Sequence, residues 1–175
     1  EARPTDDVVG DDTLDLVVLA GVPSERGAVA VAALRAGRNV LTAKPGVTTH
    51  AALDAIDAAA RPDARWWVFF SERLGNRAVT EAVRLVHEGA IGDLVAVAGA
   101  APHTLAADTR PAWFFDRARN GGILVDLAAH EADQLLALAG PGTTEVLAAT
   151  VANVAATDPP DLQDLGRMSL RHTTD

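Results

Sequence analysis

"LDLVVLAGVPSERGAVAVAALRAGRNVLTAKP", residues 14–45, decides how this chain folds. Its first part, "LDLVVLA" (14–20), is a short apolar run of the kind buried in a parallel sheet. "GVPSERGAVAVAALRAG" (21–37) then reads as a turn and a helix, with Ser24 as N-cap, Glu25 at the positive end of the dipole and Gly37 closing the C-terminus. "RNVLTA" (38–43) is a second strand. Working outward, "THAALDAIDAAA" (49–60) gives a second helix and "RWWVFFS" (65–71) a third strand. Strand alternating with helix predicts right-handed βαβ units and a parallel sheet.

After Ser71 the pattern changes. A helix is expected over 76–89, the turn "GAIGD" follows, and "LVAVAGAA" (94–101) reads as a strand. An irregular stretch with Pro102, Pro111, Trp113 and Phe114 leads to the apolar helix "GGILVDLAAHEADQLL" (121–136), which stops at "GPG" (140–142). "TTEVLAATVANVAAT" (143–157) and "LGRMSLRHT" (165–173) are long and β-rich, and their short connection predicts antiparallel pairing. The expected fold class is therefore α/β. Residues 1–71 form part of a doubly wound domain, and residues 72–175 form part of an α+β domain with a largely antiparallel open sheet.

Composition narrows the functions. Hydrophobic residues at 49% and charged residues at 22% suit a folded globular chain of 175 residues rather than a disordered one. A net charge of −9 with no Lys/Arg cluster disfavours nucleic acid as a partner. Cysteine is absent, so there is neither a disulfide framework nor a thiolate nucleophile or metal site, which fits a cytoplasmic protein. No apolar run approaches the roughly 18 residues of a membrane span, and no leader pattern is seen. The chain opens with Glu1 rather than Met and reads as a piece of a longer protein.

Three polar residues interrupt the apolar helix. Asp126 and His130 are spaced i, i+4, and Asp133 lies three further on, so a regular helix would carry all three on one face. Such a face must meet water, a partner or a ligand, because an unpaired buried carboxylate is costly. It is open to three readings: local capping and pairing around a core histidine, a functional site, or a metal site built from the three side chains. Lys44 follows a strand directly in "TAKPG" (42–46), where α/β proteins bind ligands, and Pro45 biases it towards an extended conformation. A solvated surface lysine is the alternative there.

Other features weigh less. The turn "GVPSERG" (21–27) joins strand to helix and offers backbone amides to an anionic group, yet neither G-x-G-x-x-G nor G-x-x-x-x-G-K-[ST] occurs. Trp113, Phe114 and Phe115 suit core packing or the wall of a pocket. His50, His87, His103 and His172 are read as surface or packing residues.

Taken in order, residues 14–45, "VHEGAIGDLVAVAGA" (86–100), Trp113 and "GGILVDLAAHEADQLLALAG" (121–140) resemble the Gfo/Idh/MocA family of NAD(P)-dependent oxidoreductases, across nearly the whole chain. In that family the second strand ends in Glu-Lys-Pro, EGxIG precedes the first strand of the C-terminal domain, and GGGxxxDxxxHxxD opens the active-site helix. Here these read "AKP", "EGAIG" and "NGGILVDLAAHEAD". The resemblance implies a partial Rossmann nucleotide-binding domain over 1–71 and a substrate-binding and oligomerisation domain over 72–175. It also implies NAD or NADP as cofactor, a sugar, polyol or related small molecule as substrate, and a homo-oligomer at full length.

By the same resemblance, Lys44 reaches both nicotinamide and substrate, and Asp126 and His130 hold the reacting hydroxyl. Gly21, Pro23, Trp113 and Ser71 contact the cofactor. His130 is then the base that removes the hydroxyl proton, an effect typically worth roughly 10²- to 10⁴-fold. Lys44 stabilises the developing alkoxide. Two departures from the family stand out: Ala43 replaces the motif glutamate, and the first βαβ unit with its glycine-rich loop is missing. Two alternatives use the same scaffold, a ligand-sensing protein without turnover and an NAD-dependent glycosidase.

Overall fold

The computed structural model describes residues 3–156 and 161–174. In chain order the first elements are α1 (Thr5–Val9), β1 (Leu16–Leu19), α2 (Pro23–Arg35), β2 (Asn39–Ala43), α3 (His50–Ala59) and β3 (Trp66–Phe69). They are followed by α4 (Ser71–Leu74), α5 (Arg77–His87), α6 (Arg117–Asn120), α7 (Ile123–Asp126), α8 (Ala128–Ala139), β4 (Gly142–Ala152) and β5 (Leu165–Thr174). The chain divides into two compact units. One comprises Glu1–Phe69 with Asp116–Gly121, the other Phe70–Phe115 with Gly122–Asp175.

The first unit is a parallel sheet in the order β1-β2-β3, with Val17 beside Val40 and Val40 beside Trp66. Apolar positions of α2 and α3 meet one face of it, and Val17, Ala30, Ala33, Leu34, Val40, Ile56, Ala59 and Ala64 form the core. β1 departs from the wholly buried strand expected of its sequence: Val17 is 6% exposed, but its neighbour Val18 is 64% exposed. The core residues of α2 and α3 pack on the Val17 side, and alternate residues of a strand face opposite ways.

Helix α2 also starts differently from expectation. Val22 is the N-cap and Pro23 the first helical residue, so Ser24 lies inside the helix and caps nothing. Proline takes this position because its fixed φ suits the first turn and its missing N–H would have had no helical partner. The C-terminus closes at Gly37 as expected: its N–H bonds to the Leu34 carbonyl, and that of Arg38 to the Ala33 carbonyl. Thr49 caps α3 by accepting the Ala52 N–H at 3.2 Å. The short helix α6 belongs to this unit, where Arg119 pairs with Glu25 of α2 at 2.6 Å.

In the second unit α8 packs against α4, α5 and β5. Its sheet is the antiparallel pair β4-β5, with a register shift between Val146 and Ala148. β4 ends at Ala152, short of the expected 157, and Thr157 lies outside the described residues. The ladder stops because the N–H groups of Val154, Ala155 and Ala156 all turn to the Asp164 carboxylate, each at 2.7 Å.

Two expectations fail in this unit. Residues 94–101 form no strand: among the described residues no strand pairs with them, and strand propensity without a partner makes no sheet. The helix expected from Gly121 is split into α7 and α8 at Leu127, where the His130 N–H bonds to the carbonyl three residues back rather than four. Ahead of α7, Gly121 and Gly122 have φ of 91° and 85°, positive values that a side chain would strain. Among the described residues, no helix is long and apolar enough to cross a membrane.

Candidate functional site

The turns after β1 and β2 lie at the same, C-terminal, edge of the parallel sheet, and one side chain ties them together. Arg26, on α2 and only 7% exposed, donates from Nε to the Gly21 carbonyl at 2.8 Å. Its Nη1 lies 2.7 Å from the Ala43 carbonyl and 3.0 Å from those of Lys44 and Pro45. Lys44 is half-buried, Pro45 and Gly46 are buried, and the Lys44–Pro45 peptide is cis. On the other side of the turn, Gly46 is pressed against β3. A Cβ there would stand 2.5 Å from both Trp66 Cζ2 and Val68 Cγ2. Trp66 is itself held by its Nε1–H donating to Thr42 Oγ1 at 2.7 Å.

Gly21 is exposed, and a Cβ built on it meets nothing within 4 Å, so the first turn is open where α/β sheets take their ligands. Pro23 is buried at the start of α2. The structure thus gathers Gly21, Pro23 and Lys44 at one edge.

In the second unit His130 is 5% exposed, in the first turn of α8, with the Phe70 ring edge-on at 6.2 Å between centroids. Asp126 is half-buried at the end of α7. Asp133 does not join them as a free group. It accepts two hydrogen bonds from Arg73 of α4, at 2.6 and 2.8 Å, and these bonds, together with the carboxylate's charge, hold the Arg73 guanidinium above its ordinary pKa. That commits one of the three residues of the expected polar face to a structural ion pair. Among the described residues, no group of three or more His, Asp or Glu suits a metal ion.

Ser71 is exposed as the first residue of α4. Trp113 sits in a short 3₁₀ turn, Ala112–Phe115, stacked edge-to-face on Phe114 at 6.3 Å, and Arg110 lies over the Phe114 ring at 4.6 Å. These aromatics are half-buried, not core residues. His172, read as a surface or packing residue, has a cross-strand partner: its Nδ1 is 2.8 Å from Thr144 Oγ1.

Sequence reasoning missed Arg26 and Arg73. Arg26 carried a signal, because it falls on the same stripe as Ala30, Ala33 and Leu34, where α2 is otherwise apolar. Lys44 carried one too, being the sole lysine among 15 cationic residues.

Residues 79–175, more than half of the chain, match the family model described as the GFO/IDH/MocA C-terminal domain. The chain belongs to the GFO/IDH/MocA family. Solved structures agree in fold with this member. A protein described as a putative oxidoreductase, from Erwinia carotovora atroseptica SCRI1043, is 29% identical with a TM-score of 0.86, over 98% of this chain and 51% of that one. Levoglucosan dehydrogenase in complex with NADH is 25% identical with a TM-score of 0.76, over 87% and 41%. An oxidoreductase domain protein from Kribbella flavida is 25% identical with a TM-score of 0.69, over 85% and 41%. This GFO/IDH/MocA chain thus spans about half the length of the solved structures it matches. No curated protein matches it.

Proposed function

We propose that this chain is part of a nicotinamide-dependent oxidoreductase acting at a hydroxyl-bearing carbon of a sugar, polyol or related small molecule. The observation that carries the reading is Lys44, the sole lysine, held on a clamped turn beside the open Gly21 turn at the ligand-binding edge of a parallel sheet. Membership of the GFO/IDH/MocA family and the likeness to an NADH-bound levoglucosan dehydrogenase support the cofactor and substrate class.

The open Gly21 backbone and the amides at the start of α2 fit a nucleotide. Gly21, Pro23, Lys44, Ser71 and Trp113 would hold it. When bound, the nicotinamide supplies the two-electron redox step. The chain's own residues handle the proton and the charge. An imidazole nitrogen of His130 takes the proton of the reacting hydroxyl, while Asp126 orients that hydroxyl. The Lys44 ammonium stabilises the negative charge that grows on the oxygen. In the reverse direction His130 returns the proton, and the Lys44 ammonium again stabilises the charge on the oxygen. Burial of His130 beside Phe70 suits this work, because removal from water strengthens each electrostatic contact.

The test is binding of NADH and NADPH to the gene-length protein, followed by nicotinamide fluorescence, together with turnover on a panel of sugars and polyols. Saturable binding that Lys44→Ala weakens, with turnover of at least one carbinol, is the expected result. Binding without turnover on any substrate would favour a ligand sensor, a role left open by Ala43 in place of the motif glutamate. Release of free sugar with no net change in NADH would favour a glycosidase.

A further inference from the structure

From the hydrogen bonds of Arg26 we infer that this residue is the positioning residue of Lys44, setting the direction of its side chain by fixing the peptide planes on both sides of its Cα. The inference rests on the role proposed for Lys44 above. The carbonyl of Ala43 belongs to the peptide plane before Lys44, and the carbonyl of Lys44 to the plane after it. Both point at Arg26 Nη1, at 2.7 and 3.0 Å, and the Pro45 carbonyl joins them at 3.0 Å. Because peptide units are planar, holding the planes on either side of one Cα fixes its φ and ψ, and with them the Cα–Cβ direction.

Charge-assisted hydrogen bonds are about twice as strong as neutral ones, and Arg26 is 7% exposed, so water competes little for them. Its Nε–H bond to Gly21, at 2.8 Å, also carries the β1 turn into the same frame. The Lys44 turn and the open Gly21 turn therefore move as one piece. In the family motif the residue before this lysine is a glutamate. Here Ala43 has no side chain that could orient Lys44, and its carbonyl reaches the guanidinium instead. The fork-shaped guanidinium is essential to this arrangement, because the single nitrogen of a lysine cannot reach the carbonyls of both turns at once.

The experiment compares wild-type gene-length protein with Arg26→Lys, Arg26→Met, Lys44→Ala and the double variant Arg26→Lys/Lys44→Ala. Each is checked for folding by its melting temperature. Cofactor-dependent kcat and KM are measured, and acetylation of the Lys44 amine is followed by peptide mass spectrometry.

A misplacement of about 1 Å can cost about 10²-fold, so Arg26→Lys should lower kcat by about that factor while substrate KM stays within about threefold. In the Lys44→Ala background the same change should cost less than about threefold, because residues that act through one another are not additive. The acetylation rate of Lys44 should shift by about fivefold or more in Arg26→Lys, with or without turnover. Equal losses in both backgrounds, or an unchanged Lys44 acetylation rate in a folded Arg26→Lys protein, would overturn the assignment. If wild type neither binds cofactor nor turns over substrate, the functional reading fails, and the acetylation comparison still decides whether Arg26 sets Lys44.

Discussion

Arg73 and Asp133 stand 60 residues apart in the sequence and meet in a two-point ion pair, Nε to Oδ2 at 2.6 Å and Nη2 to Oδ1 at 2.8 Å. The pair joins α4 to α8. The Asp133 side chain is only 12% exposed and that of Arg73 is 30% exposed, so each loses more when left alone than a surface pair would. Asp133→Ala should lower stability by about 1.5–3 kcal/mol, the usual worth of hydrogen bonds to charged groups. Urea unfolding checks this, and Arg73→Ala in the Asp133→Ala background should add little more. An Asp133 that takes part in chemistry would instead lower kcat with no change in stability.

Gly46 is sequestered where no side chain fits. A Cβ at that position would lie 2.5 Å from Trp66 and Val68. Trp66 cannot swing away without breaking its bond to Thr42. Gly46→Ala should therefore destabilise by about 1–3 kcal/mol, as overpacking does, and displace the Lys44 turn. Thermal unfolding measures the first effect and Lys44 acetylation the second.

The β4–β5 connection should be sensitive to acid. Hydrogen bonds from the N–H groups of Ala156, Val154 and Ala155 hold the Asp164 carboxyl below the usual carboxylate range. A folded pKa below the unfolded value of about 4 stabilises the folded state above that pH, and the benefit is lost as pH falls through the folded pKa. Exchange of amides 154–156 should thus gain relative to neighbouring amides only below about pH 4, whereas in Asp164→Ala their protection should be low at every pH.

How much of this was readable from the sequence depends on the distance over which each feature is decided. The βαβ order of β1, α2 and β2 and the stop at Gly37 were legible, because periodicity and C-capping act within a few residues. Ser24 looked like a cap only because Pro23 was not given the first helical position that its ring favours. Residues 94–101 have the composition of a strand and, among the described residues, lack the partner that would make them one. Asp126 and His130 were picked out as candidates by their spacing, but the fate of Asp133 was hidden, since its partner Arg73 lies on another helix. Arg26 was visible as an arginine on an apolar stripe, although its targets, the carbonyls of residues 43–45, could not be seen without coordinates.

Movement of the proton by His130, with other residues binding the cofactor, is read out by kcat/KM of the gene-length protein beside its His130→Ala variant, with NADH affinity measured on both. The expected result is a fall of about 10²- to 10⁴-fold in kcat/KM with the NADH dissociation constant within about threefold of wild type. Full turnover in His130→Ala would contradict that role, as would loss of NADH binding in step with loss of activity.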